Sequence, residues 1–324
     1  MSEVPALHPY AVRYAERSAA HNPLERILVV IDPMALTHAC LEKAARIALA
    51  FGSSVELISC EAPSDLPDAW AGGTTLAAYR GVVRERQIGR LEALAGPLRA
   101  RGISMTTESV SAERSDRAIV EHAIRTHVDL VVKDVQRQPV GRGTASTEVD
   151  WLLIRETPVP LLLTRAVPWP SHPRISVAVD PCHPADHPPT LDEAMIATAR
   201  SFGRALSGAV KVVHTLQTPP HLPGECVPPS ARDEAHAQAR QAVEALAHRA
   251  GMSHDAIDFM SERVPEGIVQ LAESTGADLL VMGAGARPHF LYSGASTASL
   301  VLDRLKSDLL IVKTPGFVSP LLEE

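Results

Sequence analysis

The second half of this 324-residue chain repeats the pattern of the first half. Two apolar segments, ILVVIDP at Ile27–Pro33 and ISVAVDP at Ile175–Pro181, each end in Asp-Pro. Each is followed by a helical stretch, a β-rich run and a long helix. A short strand, a short helix, a strand beginning Asp-Leu and a closing apolar run then follow in the same order in both halves. The helical stretches are Leu41–Phe51, Tyr79–Arg101 and Arg117–Thr126 in the first half, and Leu191–Leu206, Ala231–Ala250 and Pro265–Thr275 in the second. So long a shared order indicates a duplicated domain.

Short β-branched runs alternate with amphipathic helices, which is typical of an α/β domain with a parallel sheet. Ile27–Ile31 and Leu130–Val132 are apolar without alternation, as expected of central strands covered on both faces. We therefore predict two tandem, doubly wound, five-stranded parallel sheets with a Rossmann-like fold. The expected domains are residues 24–167 and 174–316, joined by a Pro-rich linker at Ala166–Pro173. Any ligand should bind beyond the carboxyl ends of the strands, at the switch point of each sheet.

Composition narrows the classes of partner. Lys and Arg number 31 against 38 Asp and Glu, and the resulting net charge of -7 argues against nucleic acid. No apolar run is long enough for a membrane span, and the amino-terminal segment does not resemble a signal peptide. The four cysteines show no disulfide or CxxC spacing, which indicates reduced thiols. A cytoplasmic, soluble protein is expected.

Particular motifs resemble those of a known family. The Asp-ended first strand, the VMGAG segment at Val281–Gly285 and the Ser-Thr pair before the last helix resemble the universal stress protein family. VVIDP, DLVVK and TEVDWLLIRETPVPLLL in the first half are similar to the first domain of tandem, E-type members. The resemblance covers about residues 24–316. It implies a strand order of 3-2-1-4-5 in each half and a stress-response binding or sensing protein. It also implies that the two domains pair through their last strands as an internal pseudo-dimer, with a homodimer of chains as a further expectation.

Nucleotide-binding members of this family carry Gly, two residues, Gly, nine residues, then Gly-Ser or Gly-Thr after the fourth strand. Glycines let backbone amides approach phosphates, and a hydroxyl at a helix start adds donors. Here Gly283–Thr297 reads GAGARPHFLYSGAST, one residue short in the first gap and with Ala295 for the last glycine. A register shift would let Gly294 substitute, and Arg287 adds a cation. The resemblance thus implies that ATP or AMP binds the second half at Ala178, Asp180, Pro181, Met282, Gly283, Gly285, Arg287, Gly294, Ser296 and Thr297.

Structural alternatives stay open for these residues. An Asp such as Asp180 at a strand end also commonly caps the next helix or holds loop amides. Gly283 and Gly285 are equally typical of an ordinary turn. Ser296 and Thr297 are equally typical of a helix N-cap.

The first half keeps Asp32 but departs from the motif elsewhere. Lys133-Asp134 replaces Met282-Gly283, and Thr147–Asp150 replaces the Ala-Ser-Thr turn. Glu148 and Asp150 would repel phosphate, so we expect no ATP binding in this half. Lys133 is then expected to pair with a neighbouring carboxylate, and Trp151 to fill core.

The loop PCHPADHPPT raises metal binding as an alternative. It holds Cys182, His183, Asp186 and His187, and a later loop holds His221 and Cys226. These are residue types that bind zinc, although the surrounding prolines favour a stiff surface loop with incidental histidines. Histidines on the helices, namely His122, His127, His236 and His248, are expected on exposed polar faces.

Two functions remain. One is a stress-response binding or sensing protein with an adenine nucleotide in the second half only. The other is a binder of an apolar or other non-nucleotide small molecule, or a dimeric scaffold. Walker, GxSxG and HExxH motifs are absent from the sequence. No general base is evident beside the expected phosphates, so catalysis would amount at most to slow ATP hydrolysis.

Overall fold

The computed structural model describes residues 24–61, 76–112, 114–140, 143–183, 187–217, 227–284 and 296–322. For residues 61, 76–80, 137–140, 143–145 and 322 only the backbone is described. By contacts the chain divides into two compact units. The first comprises the chain to Gln138, Thr147–Pro168 and the chain end from Val318, and the second comprises Pro139–Ser146 and Trp169–Phe317.

The first half alternates strands and helices, as the sequence predicts. Its strands are β1 (Arg26–Ile31), β2 (Ser54–Glu61), β3 (Met105–Ser111), β4 (Leu130–Asp134), β5 (Arg137–Val140), β6 (Gly143–Ser146) and β7 (Leu161–Thr164). Its helices are α1 (Ala39–Phe51), α2 (Leu76–Arg99), α3 (Ser115–Arg125) and α4 (Glu148–Glu156). The two-stranded sheet of β5 and β6 was not predicted from the sequence.

The second half repeats the arrangement, without the small two-stranded sheet in the part that the structure describes. Its strands are β8 (Arg174–Ala178), β9 (Ala209–Thr215), β10 (Ile257–Met260), β11 (Leu279–Ala284) and β12 (Asp308–Lys313). Its helices are α5 (Pro189–Ala205), α6 (Pro229–Arg249), α7 (Glu266–Ser274) and α8 (Thr297–Arg304), with short 3-10 turns at His254–Ala256 and Pro320–Leu322.

The strand order confirms the predicted fold class in each half. The first half runs β3-β2-β1-β4-β7, and its strands pair in parallel. The second half runs β10-β9-β8-β11-β12, again in parallel. Both correspond to the order 3-2-1-4-5. The order reverses between the first and fourth strands, so the switch point lies between β1 and β4 and between β8 and β11.

The central strands are buried on both faces. Ile27–Ile31 of β1 are buried without a break, as are Leu130–Lys133 of β4. Successive side chains of a strand point to opposite faces, so an unbroken buried run requires cover on both sides. Strand β12 is buried along its whole length.

One aspartate in each half ties the first strand to the fourth. Asp129, just before β4, accepts hydrogen bonds from the backbone N–H groups of Glu25 and Arg26 at 2.9 Å. Asp278, just before β11, accepts one from Arg174 N at 2.8 Å. The backbone N–H groups of the two aspartates donate in return to the carbonyl oxygens of Arg26 and Arg174. The Asp-Leu shared by the two repeats therefore sets where the central strands begin.

Two side chains lie where the sequence did not predict them. Trp151 does not fill core, since it is 37% exposed. His122 does not lie on an exposed face, because it is 2% exposed and its Nε2 lies 3.1 Å from Glu56 Oε1 of β2. His127 and His248 are exposed as expected, and His236 is half-buried.

No helix in the described part of the chain is long and apolar enough to cross a membrane.

Two glycines provide a matched test of the fold. Gly52 ends α1 with φ of 72°, a left-handed conformation that disfavours a side chain, whereas Gly89 lies within α2 and an added Cβ would meet nothing within 4 Å. Gly52→Ala should lower the free energy of unfolding by about 1 kcal/mol. Gly89→Ala should raise it by about 0.5 to 1 kcal/mol. Urea unfolding measures both; equal effects would contradict the assigned helix end.

Candidate functional site

The carboxyl ends of the strands in the second half gather the chemically active side chains. Asp180 lies two residues past the end of β8, and its carboxylate lies 2.8 and 2.9 Å from His183 Nδ1. The carboxylate can only accept, so Nδ1 is the donor when this hydrogen bond forms. The Asp180 backbone N–H donates to Asp192 Oδ1 at 3.0 Å. Asp180 is thus held at both its side chain and its backbone.

Asp192 is the buried centre of the loop that follows. It lies in the first turn of α5 and is fully buried. Its Oδ1 lies 2.7 Å from His187 Nε2, and its Oδ2 has no hydrogen-bond partner among the residues described. Burial by itself lowers the pKa of His187, but the hydrogen bond and charge of Asp192, with the charge of Asp180, raise this pKa above its usual value overall. His187 therefore carries a proton more readily than a free histidine does.

Gly283 is required for packing. An added Cβ would lie 2.7 Å from Leu191 Cδ2 and 3.2 Å from His187 Cε1. The first of these distances is too short for two carbon atoms, so a side chain at this position would force the buried Leu191 of α5 to move. A substitution at Gly283 would therefore disturb the contact between β11 and α5 whether or not a ligand binds here.

Ser296 caps helix α8. Its Oγ accepts a hydrogen bond from Ser299 N at 3.2 Å, which is the helix-capping alternative considered from the sequence. Ser296 and Thr297 are both exposed, so their hydroxyl groups remain accessible at the helix start. Capping and contact with a ligand are compatible here.

The remaining predicted site residues divide into two groups. Ala178 and Pro181 are half-buried on either side of Asp180, and Met282 is buried at 4% exposure, so its side chain belongs to the core. Gly285, Arg287 and Gly294 lie outside the described residues.

The equivalent edge of the first half is filled by its own side chains. Lys133 Nζ lies 2.8 Å from Asp150 Oδ1, with side-chain exposures of 5% and 0%. Lys133 also donates to the Asp134 carbonyl oxygen and to Gln136 Oε1. The predicted pairing of Lys133 with a carboxylate is confirmed. Asp150 is buried against this lysine, and of the two predicted repelling carboxylates only Glu148 is exposed.

The other polar groups at this edge also have partners. Asp32 Oδ2 accepts from Gln136 Nε2 at 2.7 Å, and its Oδ1 accepts from Met34 N at 2.8 Å. Asp134, at the position of Gly283, accepts from Cys40 N and from Thr164 Oγ1. The chain itself thus provides the hydrogen bonds that a ligand would otherwise make with these groups.

The side chains that could bind a metal together are not those that the loop sequence suggested. Asp180, Cys182 and His214 offer ligand atoms that all lie within 4.8 Å of one another. His183 instead bonds to Asp180, and His187 bonds to Asp192. His214 ends the β-rich run AVKVVH, and a parallel strand ending beside Asp180 was the signal that could have found it. Asp186, His221 and Cys226 lie outside the described residues.

The described thiols are poor nucleophiles. Burial raises the pKa of the Cys60 thiol to about 12 and that of Cys40 well above its usual value. Burial, with the charges of Asp180 and Asp192, raises the pKa of Cys182. A thiol is reactive as a thiolate, so none of these three is poised for nucleophilic catalysis at neutral pH.

A shallow cavity of about 310 Å³ lies elsewhere in the second half. It is lined by Arg200, Gly203, Arg204, Gly208, Val210, Met252, Ser253 and Ala256. These residues lie near the start of β9, at the amino ends of the strands, whereas ligands of doubly wound sheets bind at the carboxyl ends.

Comparison with known proteins gives one family for both halves. Residues 23–165 and 173–313 each match the Universal stress protein family. Universal stress protein E of Escherichia coli (strain K12) is 24% identical over 310 residues, covering 91% of this chain and 96% of that protein. The universal stress protein E homolog of Haemophilus influenzae is 27% identical over 206 residues, covering 60% of this chain and 65% of that protein.

Solved structures agree on the fold. A putative universal stress protein from Pseudomonas aeruginosa UCBPP-PA14 is 24% identical, with a TM-score of 0.70 over 91% of this chain and 95% of that one. A universal stress protein from Archaeoglobus fulgidus DSM 4304 is 14% identical, with a TM-score of 0.64 over 90% of this chain and 96% of that one.

The buried pair in the first half should be costly to break. Lys133→Met leaves Asp150 buried without its cation and should lower the free energy of unfolding by about 3 to 5 kcal/mol. The double variant Lys133→Met/Asp150→Asn should recover part of this loss, since it removes the unpaired charge and keeps an acceptor for Gln136 N. Denaturant unfolding measures both. A loss below about 1 kcal/mol for the single variant would show that Asp150 is not held as described.

Stability should depend on pH through His187. Its folded-state pKa is raised, so the stabilisation is fully present below the unfolded pKa of about 6.5 and is lost as pH rises through the folded pKa. His187→Gln keeps a donor for Asp192 but carries no charge. The variant should therefore be less stable than the unsubstituted protein at about pH 5.5 and nearly equal to it at about pH 8.5. Thermal unfolding at the two pH values measures this; a gap that widens at high pH would contradict the raised pKa.

Proposed function

Because this chain belongs to the universal stress protein family, we propose that it is a stress-response binding protein whose second half alone takes an adenine nucleotide. ATP and AMP are the expected ligands. The proposal includes domains at 24–167 and 174–316, an internal pseudo-dimer and a cytoplasmic location. It includes no catalytic role beyond slow ATP hydrolysis.

The observation that carries this proposal is the difference between the two strand edges. In the first half, Lys133 and Asp150 form a buried ion pair, and Gln136 donates a hydrogen bond to the Asp32 carboxylate. In the second half, Met282 stands in place of Lys133, and Asp180 bonds to His183, whose side chain is half exposed. A ligand can replace an exposed histidine at little cost, whereas breaking a buried ion pair is expensive.

The start of helix α8 supports an anionic ligand. Helix α8 begins after Ser296, where backbone N–H groups point outward and the helix dipole favours negative charge. Ser296 and Thr297 add exposed hydroxyl groups. In a ligand complex, Asp180 would hold the ribose or base through its carboxylate, and the helix start would face phosphate.

The two equivalent aspartates provide the test. In the full-length protein, calorimetric titration with ATP should give one site per chain. Asp180→Ala should weaken both ATP and adenosine by at least about tenfold, because a contact with ribose or base does not involve phosphate. Asp32→Ala, the matched change in the first half, should leave both affinities unchanged.

Three outcomes would contradict the proposal. They are two ATP sites per chain, loss of binding in Asp32→Ala rather than Asp180→Ala, and no affinity for ATP or adenosine below about millimolar. The last outcome would favour a non-nucleotide small molecule or a scaffold role.

A further inference from the structure

We propose that Asp180, Cys182 and His214 form a binding site for a divalent transition-metal ion of the zinc class. This site goes beyond the proposed nucleotide function and does not depend on it. It joins the loop after β8 to the end of β9, in the second half only.

The three side chains are close enough for one ion. Their ligand atoms lie within 4.8 Å of one another. Tetrahedral zinc, with bonds of about 2.0 to 2.3 Å, holds its ligand atoms about 3.3 to 3.8 Å apart. Closing the set requires a movement of about 1 Å, which the exposed loop position of Cys182 allows.

A backbone hydrogen bond fixes the ring of His214. Its ring is buried, and Nδ1 lies 2.8 Å from the carbonyl oxygen of Val179. The carbonyl oxygen can only accept, so Nδ1 carries the proton and Nε2 keeps its lone pair. Metal-binding histidines are commonly fixed in this way, by a backbone carbonyl on the nitrogen that does not bind the metal. Phe259 packs edge-on against the ring, with centroids 6.5 Å apart.

Hydrogen bonds with neighbouring residues also hold Asp180 in place. His183 hydrogen-bonds its carboxylate, and Asp192 accepts from its backbone N–H. Asp192 is fully buried and leaves Oδ2 without a hydrogen-bond partner among the residues described. Two carboxylates in such a small volume create a negative potential, which a bound cation would offset.

The set of ligand types selects the metal. One thiolate, one imidazole and one carboxylate suit zinc and related ions, whereas Mg²⁺ and Ca²⁺ prefer oxygen ligands. Three protein ligands leave a fourth position for water or another donor.

A second cluster of carboxylates and a histidine, in the first half, is not a metal site. Glu56, Glu108 and His122 also lie within 4.8 Å of one another. However, Arg26 lies 3.7 Å from Glu56, and Arg125 lies 3.4 Å from Glu108 and 2.8 Å from His122 Nδ1. Arginines already provide the cationic charge there, so we assign this cluster as an ion-pair network.

Cobalt provides a direct test on the metal-free, full-length protein. Co²⁺ should bind at one ion per chain and give the charge-transfer absorption of a cobalt–thiolate bond, and Zn²⁺ should displace it. Cys182→Ala should abolish this absorption. His214→Asn keeps a donor for the Val179 carbonyl oxygen but removes the ligand nitrogen, and it should weaken binding at least about tenfold. Cys226→Ala is the control, because Cys226 is not one of the three proposed ligands, and it should bind like the unsubstituted protein.

The results separate this site from its alternatives. Binding without the thiolate absorption, binding of equal strength in Cys182→Ala, or loss of the absorption in Cys226→Ala alone would each overturn the proposal. If His214→Asn fails to fold, Cys182→Ala still decides, because Cys182 is an exposed loop residue. No nucleotide is present in these measurements, so their outcome is independent of the nucleotide test.

Discussion

The alignment of the first and fourth strands is the constraint on which the rest of each half depends. Asp129 and Asp278 fix this alignment by binding the backbone where β1 and β8 begin. With the amino ends in register, the buried strands deliver Asp32 and Asp180 to the opposite edge, one residue or two past the strand end. The site is therefore built from strand length and register before any loop contributes to it.

The two halves differ at the carboxyl edge of their sheets. The first has closed it with a lysine, a buried aspartate and a glutamine, all taken from its own sequence. The second leaves an aspartate, a histidine and a cysteine accessible to solvent. Duplication allows such a division, since one copy can become mainly structural while the other retains exchangeable contacts. The substituted positions, Lys133 and Met282, are equivalent in the two sheets, so the difference arises from side chains on a common backbone plan.

The sequence was sufficient for the fold because local patterns determine it. Unbroken apolar runs predicted the buried strands, and the repeat gave independent support for each element. Lys133 was also predictable, since a lysine in a buried strand needs a carboxylate. Side-chain pairings across elements were harder to predict. His122 is buried because Glu56, from a different strand, lies beside it, and Trp151 is exposed although α4 has a buried face.

The candidate site shows the same limit. The sequence identified Asp180 and Cys182, but their meeting with His214 depends on the register of β8 and β9, which pairs Ala178 with Val213. The two-stranded sheet of β5 and β6 was missed for a related reason. Its strands are very short, and Ser146 is held by Asp303 from much later in the chain, with bonds to Oδ1 from both its N–H and its hydroxyl group.

Gly283 has an evolutionary consequence. A Cβ there would force the buried Leu191 to move, so mutation away from glycine would be selected against even in a descendant that had lost every ligand. A glycine shared among distant relatives at this position would therefore record the spacing between a helix and a strand. A motif residue that is needed for packing can persist after the binding activity that it usually indicates has been lost. The exposed positions around it are the better guide to what a given descendant still binds.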